Sequence, residues 1–319
     1  EIYSNVANRG GGVYCSSGGG VQNTAIVSNS AVDGGGVYCS YGGGVQNTAI
    51  VSNSAVNGGG VYLREGGALT NCTIVYNTAT QGGGAYASLG GTLRNCILYS
   101  NSTSNWYANS NATFSFCCTT PQPEGMGHVN SDPQLVASSM GEWYLSSNSP
   151  CIDAGTNLVA VADDIRSVPR PLDGDNNGIA VSDIGAFEYA RPDADTDLDE
   201  IPDLWEVANY LNPRINDANL DLDGDGFSCY QEYVADTRPR DAASFLSIND
   251  ITGAVNMAIS FASSSNRVYS LFQCDGLMTG LWQGATGATR AGGIGGQMIL
   301  FDTNALSPRR FYRIGVSLP

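Results

Sequence analysis

Along the first hundred positions, apolar residues come in short bursts punctuated by glycine. Val13-Tyr14-Cys15 and the β-branched segment 24–27 are separated by GGG at 10–12 and 18–20. Runs this short and this interrupted do not build a helix; they predict strands of three to five residues joined by tight turns. The bursts recur at a fixed period. Residues 10–33 read GGGVYCSSGGGVQNTAIVSNSAVD and residues 34–57 repeat them with two changes, Ser17 to Tyr41 and Asp33 to Asn57. Looser copies begin at Gly58 and Gly82, and Ile2, Ser4 and Asn5 lie one period of 24 residues before Ile26, Ser28 and Asn29. Parallel strands need a crossover, and a coil that closes on itself and advances one strand spacing per turn supplies it without a helix. Each copy then buries its face only against its neighbours, so the pattern predicts a mainly β fold built on a parallel β-helix.

Identity between copies sets the expected register. Asn23, Asn47, Asn71 and Asn95 fall in one column and Asn29, Asn53, Asn77 and Asn101 in another, where stacked amides can bond along the column. Tyr14, Tyr38, Tyr62 and Tyr86 form an aromatic column, read either as a sugar-stacking face or, more simply, as packing. The GGG-V-Y and N-x-x-I-x-x-N wording resembles right-handed parallel β-helix proteins, including bacterial polymorphic outer-membrane-protein repeats. SDPQLV at 131–136, SPCIDAG at 149–155 and the stretch DIRSVPRPLDGDNNGIAVSDIGAFEY at 164–189 resemble the terminal segment of choice-of-anchor Q domain proteins. The resemblance implies a right-handed β-helix over residues 1–190, with final irregular coils expected to cover its open end. The chain starts inside a repeat, so this domain is expected to be truncated at its N-terminus.

Residues 191–243 differ in kind. In DTDLDEIPDLWE, Asp195, Asp197, Asp199, Asp203 and Glu206 occupy positions 1, 3, 5, 9 and 12 of a 12-residue loop, with Ile201 at position 7 offering its carbonyl. That is the spacing by which carboxylates converge on Ca²⁺. The usual Gly at position 6 is replaced by Glu200, which questions the turn. A second loop, DLDGDGFSCYQE, supplies Asp221, Asp223, Asp225 and Glu232, with Gly226 at position 6 and the Phe227 carbonyl at position 7. Cys229 holds position 9, where a water is expected to replace the ligand. Each loop runs into a short helix-like segment, and the pair resembles dockerin and thrombospondin type 3 calcium loops of secreted bacterial proteins. DGDNNG at 173–178 offers Asp173, Asp175 and Asn177 but lacks a position-12 carboxylate, so it reads as a third loop or as a plain turn. From 244 to 319, strands alternate with Gly/Ser/Asn turns, predicting a small antiparallel β-sandwich. VYSLFQCDGLMTGLWQ and FYRI resemble C-terminal β-sandwich modules on large secreted bacterial proteins. Trp282 and Phe311 are expected in its core.

Composition narrows the function. Net charge is −16 and concentrates in the acidic segment, which excludes nucleic acid as a partner. No run is long and apolar enough for a membrane span. All 14 basic residues are Arg, which excludes lysine Schiff-base chemistry and Lys–Asn isopeptide cross-links, and the one histidine excludes a His-cluster metal site. The nine cysteines have no CxxC spacing; stacked pairs such as Cys15 with Cys39 and Cys72 with Cys96 read equally as disulfides or as core thiols. Across the four repeats the acid/base candidates are Asp33, Arg64, Glu65 and Arg94. Asp33 becomes Asn57 one coil later, and Arg64 and Glu65, adjacent in a strand, are expected to face opposite ways. His128, Glu124 and Asp132 near the end segment read as incidental. The expectation is a secreted or bacterial cell-surface, calcium-binding structural or adhesive protein with no catalytic site in this stretch. The alternatives are a polysaccharide lyase or glycoside hydrolase with its site on preceding coils, or a surface module binding polysaccharide or cell-surface glycans. Sharing the β-helix fold does not by itself confer activity.

Overall fold

In the computed structural model the described residues are 1–109, 111–137, 143–253, 256–277, 281–304 and 309–319. The protein is mainly β, a parallel β-solenoid of about five turns followed by small antiparallel sheets, with 37% strand and 4% helix. It divides into two compact units.

The first unit comprises Glu1–Thr196, Pro202–Val207 and Asn212–Arg214. Its register follows the repeat: Ile26 pairs with Ile50, Ile50 with Ile74 and Ile74 with Leu98. Val13, Val37, Val61 and Ala85 align in a second ladder. The last coil is shorter. Ala85 aligns with Trp106 and Ile97 with Cys118, a step of 21 residues instead of 24. Inside the coil, Ile26, Val37, Val45, Ile50, Leu63, Leu69, Ile74, Leu93 and Leu98 pack into one core. The third glycine of the GGG that opens each coil, at 12, 36, 60 and 84, is required by this stacking. A Cβ on Gly36 would lie 2.7 Å from the Gly60 carbonyl oxygen and 2.8 Å from Ile50 Cγ2.

Only one asparagine column is a continuous ladder. Asn53 Nδ2 donates to Asn77 Oδ1 at 3.0 Å and to the Ile26 carbonyl at 2.9 Å, while its backbone N–H donates to the same Asn77 Oδ1. Asn5, Asn29, Asn77 and Asn101 extend the pattern, which satisfies buried amides at a corner where the backbone turns. The other column is mostly put to a different use. Asn47 bonds Asn23 at 3.2 Å but also donates to the Asp163 carbonyl at 2.7 Å. Asn95 donates to the Thr156 carbonyl at 2.8 Å and accepts from the Thr156 N–H at 3.0 Å. The tyrosine rings stack at 4.9 to 5.3 Å, and Tyr107 adds a fifth rung.

Asn47 and Asn95 show where the end segments go. Expected as a cover for the open end, they instead run along the flank of the solenoid. Leu145, Cys151, Ile184, Ala186 and Phe187 pack on Ala49, Val51, Val75, Ile97 and Cys118, the residues that alternate outward from the coil interior. That outer face is apolar, so burying it is favourable by about 25 cal/mol per Å². Four successive coils supply it. Gly185 fits because a Cβ there would lie 2.8 Å from Ile97 Cδ1 and 2.9 Å from Thr73 Oγ1. A buried Arg170 closes the segment: its guanidinium donates to the carbonyls of Asp183 (3.1 Å) and Gly185 (2.9 Å) and pairs with Glu188 at 3.3 Å. All nine cysteines are buried free thiols.

The second unit comprises Asp197–Ile201, Ala208–Leu211 and Ile215–Pro319. Its antiparallel sheets are Ile248–Thr252, Met257–Ala262 and Gln297–Asp302 on one side, and Val268–Cys274 flanked by Phe311–Ser317, Gln283–Gly284 and Ala291–Gly292 on the other. Ile259, Phe261, Tyr269, Leu271, Met298 and Leu300 form the core. Phe311 is not in it. It is 38% exposed, because in Phe311–Ser317 the residues turned inward are Tyr312, Ile314 and Val316. Trp282 is half-buried beneath the Arg313 guanidinium, 4.7 Å from its ring. Two helices are present among the described residues: α1, Asp203–Ala208, which belongs to the first unit as far as Val207, and α2, Cys229–Ala235, in the second.

Candidate metal centre

The second acidic loop, residues 221–232, lies wholly within the second unit and leads into α2. Ser228 caps the helix in a capping box with Gln231. Gly224 and Gly226 have φ of 80° and 97°, with open space where a Cβ would stand, so glycine is needed for the backbone conformation alone. These turns fold the aspartates inward. Asp221 accepts from the N–H groups of Gly224 (2.7 Å) and Gly226 (3.0 Å), Asp223 from Asp225 (3.2 Å) and Asp225 from Phe227 (2.8 Å). The result is that Asp221, Asp223 and Asp225 each place an oxygen within 4.8 Å of the others.

Glu232 comes from the first turn of α2 and is 1% exposed. One oxygen accepts from Thr237 Oγ1 at 3.3 Å, but Oε2 is buried without a hydrogen-bond partner, as are Asp223 Oδ2 and Asp225 Oδ2. Burial, then Asp223, Asp225 and Asp221, push the Glu232 carboxyl up to about 7. Unpartnered carboxylate oxygens facing like charges are costly unless a cation is shared among them. The donor set is all oxygen, which fits a hard divalent ion such as Ca²⁺. Position 9 behaves as a non-ligand: burial and the nearby Asp217 and Glu232 push the Cys229 thiol up to about 12, so it keeps its proton.

The boundary between the units passes through the first loop, so its residues are described with the unit that holds each. Glu200, standing where glycine is usual, takes φ 73°, and Leu198 takes φ 61°, so positions 6 and 4 of this loop adopt the same left-handed conformation as Gly226 and Gly224. The turn that Glu200 called into question is therefore made, with two non-glycine residues in a region that costs about 1–2 kcal/mol each. Within the first unit, Asp203 is fully buried at the start of α1 and accepts from Thr196 N–H and Oγ1, both at 2.7 Å. Burial pushes its carboxyl up. Asp195 is half-buried in the same unit, and Glu206 is buried on α1. Within the second unit, Asp199 accepts from the N–H groups of Ile201 (2.9 Å), Asp217 (3.2 Å) and Ala218 (3.0 Å); Asp197 is half-buried and Ile201 fully buried. Asp217 was missed from the sequence because it lies outside the 12-residue spacing. Its side chain is 7% exposed, with Oδ1 unpartnered.

The run 173–178 in the first unit gains a residue that spacing did not reveal, Asp153 of the SPCIDAG segment, which meets Asp173 and Asp175. Here the carboxylates are engaged by their own turn. Asp153 accepts from Gly174 and Asp175, Asp173 from Asn177 and Gly178, and Asp175 from Asn177. Burial pushes Asp153 up to about 6.

Three further sets of candidates make local contacts. Arg64 and Glu65, expected to face apart, pair at 3.1 Å because Glu65 sits in a left-handed turn at φ 55°. Asp33 accepts from Asn57 Nδ2 at 2.9 Å and lies 3.9 Å from Arg9. His128 accepts from the Cys117 N–H at 3.2 Å. Of the tyrosine ladder, Tyr38 and Tyr86 are buried, Tyr62 is half-buried, and Tyr14 and Tyr107 are exposed. Among the described residues no helix is long and apolar enough to cross a membrane. Comparison with known protein families, with curated proteins and with solved structures returns no match.

Proposed function

We propose that the protein is a secreted or cell-surface structural β-solenoid, a display or adhesive scaffold, whose acidic segment binds Ca²⁺ at the loop 221–232. Asp221, Asp223, Asp225 and Glu232 would hold the ion. The single observation that supports this most is the convergence of Asp221, Asp223 and Asp225 within 4.8 Å of one another, with buried, unpartnered oxygens on Asp223, Asp225 and Glu232. Bound Ca²⁺ would neutralise these carboxylates and tie the loop to the first turn of α2. The helix is in turn held to the sheets by Arg267, which donates to the carbonyls of Val234 (2.8 Å) and Tyr233 (2.6 Å). The ion's role on this reading is mechanical. Extracellular calcium modules fill at roughly 0.1 to 1 mM Ca²⁺ or tighter, which sets the concentration range of the test. The first loop, with Asp195, Asp197, Asp199, Asp203, Glu206 and the Ile201 carbonyl, is proposed as a second calcium loop on its spacing and its left-handed turn.

Calorimetric titration of Ca²⁺ into chelator-stripped protein tests the reading. Binding heat should be lost from the second site in Asp221→Ala and weakened at least tenfold in Glu232→Gln. Absence of heat together with an unchanged melting temperature at about 5 mM Ca²⁺, well above the expected range, would refute it.

A further inference from the structure

We infer that Asn177 is a self-modification site, at which the turn 173–178 drives loss of the side-chain ammonia to give a succinimide and then an acidic residue. The chain contains two Asn-Gly pairs, Asn57-Gly58 and Asn177-Gly178. Such pairs are the most prone to this reaction, because glycine has no side chain to shield its backbone nitrogen from the preceding amide carbon. The fold treats the two pairs in opposite ways.

The first pair is locked into the solenoid. Asn57 aligns with Gln81 on one side and Asp33 on the other, and its side chain donates to Asp33 Oδ1 at 2.9 Å. Gly58 is buried, and its N–H donates to the Gln81 carbonyl at 2.9 Å, a ladder bond to a very weak base. The second pair lies in a turn where Asn177 and Gly178 are both exposed. There the Gly178 N–H donates at 2.6 Å to Asp173 Oδ2, a carboxylate that can take the proton as the nitrogen attacks. Asp173 is 6% exposed, and its other oxygen accepts from the Asn177 N–H at 3.0 Å, so its direction is fixed. Asn177 Oδ1 accepts from the Ile179 N–H at 2.9 Å, a donor placed where negative charge develops on the amide oxygen. Asn177 Nδ2, the leaving nitrogen, donates to Asp175 Oδ2 at 2.9 Å. A base, an oxyanion donor and a hold on the leaving group therefore converge on one side-chain amide.

In the first step the Gly178 nitrogen bonds to Asn177 Cγ and its proton passes to Asp173. The Cγ–Nδ2 bond then breaks, and Nδ2 leaves as ammonia with the proton that Asp173 returns. In the second step a solvent water opens the succinimide at one of its two carbonyls, giving aspartate or isoaspartate. No oxidant or cofactor is needed. Either product adds one negative charge to a turn that already gathers Asp153, Asp173 and Asp175, and removes the donor that Asp175 held. The isoaspartate also lengthens the main chain by one methylene, which should open the turn.

The full chain held at neutral pH with a chelator, so that no divalent cation competes for Asp173, tests this against the same chain unfolded in guanidinium chloride. Samples taken over weeks are digested with pepsin at acid pH, which halts the reaction. Tandem mass spectrometry then follows amide-to-acid conversion at both asparagines, and isoaspartyl methyltransferase labelling reports the isoaspartate. In the folded protein Asn177 should convert at least tenfold faster than Asn57 and faster than Asn177 in the unfolded chain, whereas Asn57 should be slower folded than unfolded. Asp173→Asn should bring the folded rate at Asn177 down to the unfolded one or below. A folded rate at Asn177 no higher than its unfolded rate, or an Asp173→Asn protein that converts as fast as the wild type, would overturn the inference. The folded-against-unfolded comparison is read on the wild-type chain and does not depend on the variant folding.

Discussion

Replacing Arg170 with Met gives the sharpest test of how the flank segment is held. The guanidinium is 2% exposed and serves three partners, the carbonyls of Asp183 and Gly185 and the carboxylate of Glu188. Methionine keeps much of the volume but leaves those groups buried without a donor, so the cost is about 3 to 5 kcal/mol, as for other buried pairs broken on one side. At about 2 to 4 °C per kcal/mol for a unit of this size, the melting temperature should fall by roughly 6 to 20 °C. The loss should also depend on pH. Burial pushes Glu188 up from 4.5 to about 7, with Arg170 pulling in the opposite direction; Asp183 is raised as well, by burial and by Glu188. A carboxyl raised in the folded state contributes stability that is full below its unfolded value and is lost as pH rises through the folded value. For Glu188 that window runs from about pH 4.5 to 7 and amounts to about 3 kcal/mol. Without Arg170 its folded value rises further, so the deficit of the variant should be larger at pH 8 than at pH 5. Hydrogen exchange of the Leu172 and Asp183 amides, which donate to Glu188, reads the segment directly at both pH values. A deficit below about 1 kcal/mol, under the range for a broken buried pair, or one equal at pH 5 and pH 8, would refute the reasoning.

Four further outcomes follow from the same geometry. Asn53→Leu should destabilise the solenoid by about 3 kcal/mol in urea denaturation, since it strips donors from the buried Ile26 and Val51 carbonyls and breaks a ladder rung. Gly36→Ala should cost about 2 to 3 kcal/mol or prevent folding, because its Cβ meets backbone at 2.7 Å. Gly18→Ala should cost only about 1 kcal/mol, since its φ of 83° is strained for alanine but nothing lies within 4 Å. Finally, Glu232→Gln should change sign with calcium. It should raise the melting temperature of chelator-treated protein by removing a crowded carboxylate, and should abolish most of the upward shift that saturating Ca²⁺ gives the wild type.

The amino-acid sequence by itself determined the coil, its register and the asparagine ladder, because each rests on a contact between residue i and residue i+24 that recurs along the chain. It also located the two acidic 12-residue loops, whose ligand spacing is a local property of the backbone. Other features depended on tertiary structure, and for one physical reason. They join residues that occur once and lie far apart, so no period or spacing records them. Asn47 reaches Asp163 and Thr73 reaches Ala186 across more than 100 residues, which puts the end segments on the flank of the solenoid. Asp153 joins Asp173 and Asp175 in the same way, and Cys118 and Cys151 enter one apolar cluster. Local pattern also placed Phe311 wrongly in the core, since strand alternation says that one set of residues is buried but not which. Only the packing of Tyr312, Ile314 and Val316 against Tyr269 and Leu271 decided it.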